Sequence, residues 1–124
     1  MHELKLYNSL GNKVELFTPI TPGEVSIYCC GPTVYNSPHI GNFRPVIVFD
    51  TLRRLLIHLG YKVTFVSNYT DVDDKIIKRA AELHISEKEL TDSVIKEYRS
   101  LVDAVGALQP DITPTPTGYM NQII

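Results

Sequence analysis

Two segments of strand composition, residues 25–30 and 62–68, flank one long helical stretch, and that alternation constrains the fold more than any other feature. Val25-Ser26-Ile27-Tyr28-Cys29-Cys30 is β-branched and aromatic, and Gly31-Pro32 ends it. Over residues 42–59, Val48, Leu52, Leu55, Leu56 and Leu59 recur at three- and four-residue spacings. This predicts a helix with an apolar stripe, leaving Asp50, Arg53, Arg54 and His58 mostly off it. Pro45 fits such a helix only in its first turn, and Gly60 supplies the stop. Lys62-Val63-Thr64-Phe65-Val66-Ser67-Asn68 carries apolar residues toward both faces, the pattern of a strand buried on both sides. Strand, helix, strand over 25–68 predicts a right-handed βαβ unit with parallel strands, and therefore an α/β fold.

The flanking segments are shorter. Leu4-Lys5-Leu6-Tyr7 and Val14-Glu15-Leu16-Phe17, with Gly11-Asn12 between them, predict a small N-terminal hairpin. A helix is expected over 72–84, with Ile76, Ala80 and Leu83 on one face. A second opens with the capping box Ser86-Glu87-Lys88-Glu89, bears the stripe Leu90, Val94, Tyr98, Leu101, Val105, and ends at Gly106. Pro110, Pro114 and Pro116 read as a stiff linker, and residues 117–124 as the opening of another helix. A chain that stops on Ile123-Ile124 inside an apparent element is expected to be the front part of something longer.

Composition narrows the function classes. Of 124 residues, 44% are hydrophobic and 21% charged, values of a globular chain and not of a disordered one. No apolar run approaches the roughly 18 residues that cross a bilayer, and the first five residues lack a signal pattern. A cytoplasmic protein is the expectation. Twelve basic against 14 acidic residues leave a net charge of −2, with no polybasic footprint for nucleic acid. The two cysteines, Cys29 and Cys30, are adjacent, which suits neither a disulfide scaffold nor a complete metal site.

Ligands of open parallel sheets bind beyond the carboxyl ends of the strands. Here those ends are the loop running from Cys30-Gly31-Pro32-Thr33 to His39-Ile40-Gly41-Asn42, and the loop Asn68-Tyr69-Thr70-Asp71. The two are expected to border one pocket, with His39 at its rim. His39 and Asn42 lie three apart at a helix start, where free N–H groups and the helix dipole suit a polyphosphate. On those residues alone, a plain N-cap and an ordinary loop histidine are the simpler reading. Cys30 ends the strand at the ligand edge, where it is either a packed thiol or a soft metal ligand. Neighbouring strand residues face opposite ways, so only one of the two cysteines is expected to face the pocket, and the packed reading suits Cys29. Asp71-Val72-Asp73-Asp74 reads as a helix start capped by Asp71, with a Mg2+ cluster as the alternative. Lys75, Lys78 and Arg79 read as a solvated face.

Tyr28-Cys29-Cys30-Gly31-Pro32-Thr33-Val34-Tyr35, His39-Ile40-Gly41-Asn42 and Asn68-Tyr69-Thr70-Asp71-Val72-Asp73-Asp74-Lys75-Ile76-Ile77 together resemble the N-terminal catalytic region of cysteinyl-tRNA synthetases. The opening Leu6-Tyr7-Asn8-Ser9-Leu10 fits as well, and the resemblance runs in register through essentially the whole chain. It implies a Rossmann-type nucleotide-binding catalytic domain, of which residues 1–124 would be the first part. It implies ligation of L-cysteine to tRNA(Cys) through a cysteinyl-adenylate, with ATP and Mg2+, by a cytoplasmic monomer. Carried over by position, Cys30 matches a ligand to a Zn2+ ion that binds the substrate thiol. Gly31, Thr33, Asn68 and Thr70 match the amino-acid and adenylate pocket. His39, Gly41 and Asn42 match the element that binds the phosphates of ATP, with His39 and Asn42 catalytic. Asn42 stands where the family motif ends in histidine, Pro32 where an aliphatic residue is usual, and Asn36 where aspartate is usual. No lysine-rich signature loop, further zinc ligand or anticodon-binding domain occurs in these residues, so the piece alone is expected to be inactive. Cysteinyl-adenylate-forming ligases that act on an aminosugar share part of this pattern. A non-catalytic nucleotide- or RNA-binding module is the remaining alternative.

Overall fold

The computed structural model describes residues 3–124; Met1 and His2, part of the stretch read for a targeting signal, lie outside them. Strands β1 (Lys5–Asn8) and β2 (Lys13–Leu16) pair antiparallel, with Leu6 opposite Glu15. The tight turn between them places its left-handed residue on Asn12, at φ 48°, a conformation asparagine tolerates. Phe17, just beyond β2, meets the Tyr61 ring edge-on, 6.1 Å between centroids.

The βαβ unit forms as its spacing predicts. Strand β3 (Glu24–Cys29), helix α1 (Phe43–His58) and strand β4 (Lys62–Ser67) follow in order, and β3 and β4 pair in parallel from Glu24↔Lys62 to Cys29↔Ser67. A 3₁₀ turn, Ile40–Asn42, leads into α1, which places Pro45 in the first turn. Gly60 follows the helix at φ +94°, a conformation that favours glycine.

Three expectations about burial change. Val48 and Leu55, assigned to the stripe of α1, are 54% and 40% exposed; the buried residues are Phe43, Arg53 and Leu56. Apolar residues surround most of this helix, so periodicity could not select the face that tertiary packing uses. Strand β4 is only partly buried, with Phe65 its one buried residue. The proline-rich stretch after residue 109 is not a free linker. It runs beside β4 on the side away from β3: Asp111 N–H donates to Phe65 O (2.8 Å), Ser67 N–H to Ile112 O (3.1 Å) and Tyr69 N–H to Pro114 O (3.0 Å). Proline lacks the donor but keeps the carbonyl, so Pro114 still accepts.

Arg53 explains how that segment is held. Its guanidinium lies over the Phe65 ring, 5.4 Å from the centroid. One Nη donates to Gln109 O (2.8 Å) and the other to both Asp111 carboxylate oxygens (3.1 Å each). Asp111 Oδ2 also accepts Phe65 N–H at 2.7 Å. Arg53 is 7% exposed, so removing its partner leaves a charge in a poor dielectric. The Asp111 side chain is 43% exposed, which discounts the cost. Asp111→Ala is therefore expected to lower stability by about 2 kcal/mol, read from the urea unfolding midpoint. A change within about 0.5 kcal/mol would show the pair to be merely superficial.

Helices α2 (Asp74–Leu83) and α3 (Glu87–Ala104) complete the layer. The capping box of α3 forms: Ser86 Oγ accepts Glu89 N–H, and the Glu89 carboxylate accepts Ser86 N–H, which holds its carboxyl below the usual range. Helix α2 is capped by Asp73, whose carboxylate accepts Lys75 N–H (2.9 Å), and not by Asp71. Asp71 instead accepts from the N–H and Oγ1 of Thr117. It thereby holds the 3₁₀ turn Thr117–Tyr119 that opens helix α4 (Met120–Ile123). The core contains Ile76 and Ala80 of α2, Leu90, Val94, Tyr98 and Val102 of α3, and Val34, Phe43, Tyr69 and Ala107. Leu83 and Val105 lie outside it, each at the end of its helix.

Candidate functional site

Parallel pairing brings the carboxyl ends of β3 and β4 to one edge. Regular register ends at Cys29↔Ser67 and resumes at Thr33↔Thr70. Three residues, Cys30 to Pro32, therefore stand against two, Asn68 and Tyr69. The extra residue is a bulge, a device that redirects side chains beside functional sites. The two chains are joined across it by Thr70 N–H to Pro32 O (3.0 Å) and Val34 N–H to Thr70 O (3.1 Å). Gly31 N–H donates to the side-chain oxygen of Asn68 at 2.7 Å, and Asn68 Nδ2 donates to Thr70 Oγ1 at 3.3 Å. At Gly31 a Cβ would lie 1.7 Å from the backbone oxygen of Asn68, so only glycine fits this approach.

His39 and Asn42 cap the turn that opens α1. His39 Nδ1 accepts Gly41 N–H (3.1 Å), and Asn42 Oδ1 accepts His39 N–H (2.8 Å). This reciprocal box fixes both side chains. With Nδ1 accepting, the neutral ring carries its proton on Nε2. With Oδ1 engaged, the amide of Asn42 turns its NH2 outward as a donor. Asn42 occupies the cap position of α1 without a side-chain bond to that helix; its side chain closes the box of the preceding turn instead. Both His39 and Gly41 are exposed, and the arrangement offers donors at a helix start to a negatively charged group.

A cavity of about 210 Å3 opens beside these elements. Cys29, Cys30, Gly31, Pro32, Gly41 and Asn42 line it, together with Arg53, Phe65, Tyr69 and Tyr98 among others. Thr33, His39, Asn68 and Thr70 do not, so the loops meet without all bordering this one hollow. Cys29 also departs from expectation. It is half-buried, not a core residue, and both cysteines line the cavity because the bulge interrupts strict alternation. Burial, and then the neighbouring Cys30, push the Cys29 thiol above its usual range. Burial likewise raises the Tyr98 phenol to about 12, so it is neutral at physiological pH.

Cys30 is exposed and offers one soft donor at the sheet edge, which fits a zinc ligand in kind. Among the described residues no three His, Cys, Asp or Glu side chains converge to hold a metal ion, so further donors would have to come from beyond them. Among the described residues no helix is long and apolar enough to cross a membrane. Sequence reading missed Tyr98 and Arg53 as cavity walls. Tyr98 was legible only as part of a packing stripe, and Arg53 carries no local signal that separates it from Arg54.

Comparison with known proteins identifies the arrangement. The family tRNA synthetases class I (C) catalytic domain matches residues 16–124. A cysteine–tRNA ligase of Bdellovibrio bacteriovorus is 51% identical over 120 residues, 97% of this chain and 25% of that protein. One of Acholeplasma laidlawii is 50% identical over 121 residues, 98% of this chain and 28% of the relative. One of an Exiguobacterium species is 51% identical over 121 residues, with 98% and 26% covered. The chain thus spans about a quarter of the length of these curated relatives. The match extends over the βαβ unit, the bulge and the capped turn alike, and the chain belongs to the class I (C) tRNA synthetase catalytic-domain family.

Proposed function

We propose that this chain is the first part of the Rossmann-type catalytic domain of a cysteine–tRNA ligase. The reaction joins L-cysteine to ATP as cysteinyl-adenylate with release of diphosphate, then passes cysteine to the terminal ribose of tRNA(Cys). The observation that carries the reading is the half-identity, over nearly the whole chain, to three relatives that bear that name. The geometry supports the roles. His39 Nε2–H and the Asn42 NH2 are fixed donors at a helix start, suited to the charge that develops on the phosphates during in-line displacement. Gly41 lets the nucleotide approach the backbone. Gly31, Thr33, Asn68 and Thr70, joined across the two loops, are assigned by position to the amino acid and the adenylate.

Cys30 would hold a zinc ion through its thiolate, with the remaining ligands supplied from outside these residues. The chemistry that zinc supplies is recognition of a thiol, which separates cysteine from serine far better than shape alone. The protein is expected to act in the cytoplasm as a monomer, with Mg2+ accompanying ATP.

The test is ATP–diphosphate exchange by the full-length protein. Exchange is expected to require L-cysteine and to be negligible with L-serine. Exchange supported by another amino acid, and not by cysteine, would overturn the assignment.

The adjacent cysteines separate binding from packing. Cys30→Ser is expected to lower zinc affinity by more than the roughly 10- to 100-fold that loss of an outer-shell partner costs. It should also erode rejection of serine. Cys29→Ala should retain zinc, and its half-buried position limits the stability cost to below about 1 kcal/mol. Metal analysis of the two variants checks this; zinc lost from Cys29→Ala and kept by Cys30→Ser would invert the assignment.

A further inference from the structure

We propose that Asn68 is a positioning residue: its side-chain amide pins the bulge at Gly31 and so sets the direction of the Cys30 thiol. The inference rests on the reading of Cys30 as a zinc ligand. It starts from a mismatch of register, three residues of one chain against two of the other. At such a bulge the ladder is interrupted and backbone groups need other partners. Gly31 N–H finds its partner in the Asn68 carbonyl oxygen at 2.7 Å, the shortest of the contacts that join the two loops.

That N–H belongs to the same rigid peptide plane as the Cys30 carbonyl. Fixing the plane fixes ψ of Cys30, and with it the direction of the Cα–Cβ bond. The carbonyl side of the plane is contacted by the Cys29 thiol, Sγ to O at 3.8 Å. The Asn68 amide is itself oriented, because its NH2 donates to Thr70 Oγ1. Thr70 lies on the paired segment opposite Thr33. A chain of contacts therefore runs from the β4 side, through Asn68, to the peptide that carries Cys30. Asn68 does not line the cavity that Cys30 lines, so its effect on the thiol passes through the Gly31 peptide. Outer-shell groups of this kind hold a ligand in the geometry a metal requires.

The experiment uses the full-length protein and its zinc affinity, measured by competition with a chelator. Asn68→Ala removes the acceptor and is expected to weaken zinc binding by roughly 10- to 100-fold. Asn68→Asp keeps an acceptor for Gly31 N–H and a partner for Thr70 Oγ1, and should bind zinc at wild-type affinity or tighter. Melting midpoints are read alongside. A purely structural role would lower the midpoint of Asn68→Ala and leave the zinc affinity of the folded protein unchanged, which would overturn the proposal. Equal losses in both variants would overturn it too. A wild-type protein without bound zinc would instead overturn the zinc reading of Cys30, and this role of Asn68 with it.

Discussion

His39→Ala in the full-length protein is expected to slow cysteinyl-adenylate formation by roughly 10²–10³-fold, the scale of losing one preorganised transition-state donor. The capping box is the reason. Gly41 N–H occupies Nδ1, so the ring is held as the tautomer that donates from Nε2. Alanine removes that donor and also frees Gly41 N–H, so the turn that leads into α1 loosens. Asparagine at this position can restore the acceptor for Gly41 N–H. It places its own NH2 closer to the backbone than Nε2, so His39→Asn should recover the turn and only part of the rate. The affinity for cysteine should change less than about threefold, because His39 does not line the cavity that Cys30 lines. Diphosphate exchange at saturating cysteine is the measurement. A wild-type rate in His39→Ala would remove His39 from the reaction.

Gly31→Ala should be the most damaging single substitution at the sheet edge. The added carbon would stand 1.7 Å from the backbone oxygen of Asn68 and 2.9 Å from its carbonyl carbon. The obstacle is backbone, so no rotamer change relieves it. The ends of β3 and β4 must separate, which breaks Gly31 N–H to Asn68 and strains the Thr70 to Pro32 bond. Overpacking against an immovable wall costs about 3 kcal/mol or more. Urea unfolding measures it, and an unchanged midpoint would mean that the two loops are not held together as described. Zinc and cysteine binding should fall with stability here, whereas Asn68→Ala should uncouple them. The pair of substitutions therefore separates collapse of the edge from misdirection of one thiol.

Much of this was legible in the chain before any coordinates. Local rules are written in local residues. The capping box at Ser86 and Glu89, the stop at Gly60, the place of Pro45 and the parallel βαβ unit all follow from spacing and backbone preference. The βαβ reading also placed the two motif loops at one edge of the sheet, since a parallel strand–helix–strand unit has only one end where its loops converge. Asp71 shows where this reasoning fails. Three acidic residues stand at one helix start, and proximity in sequence favours the first as the cap. Asp73 takes that role, and Asp71 serves a turn 46 residues away, a partner no local window contains.

The sequence by itself determined the order and kind of the elements, the turn that presents His39 and Asn42, and the edge at which Cys30 sits. These depend on interactions within a few residues, which the tertiary packing of this chain leaves in place. Tertiary structure alone decided which side of α1 is buried, because a helix apolar on most sides has no preferred face until something packs against it. It alone turned the proline-rich stretch after residue 109 into a partner of β4, held by a buried Arg53 that sequence left off the apolar stripe. It also decided the bulge that brings both cysteines to one cavity. A bulge is a difference in register between two chains that lie 37 residues apart at Gly31 and Asn68, and neither chain alone carries it.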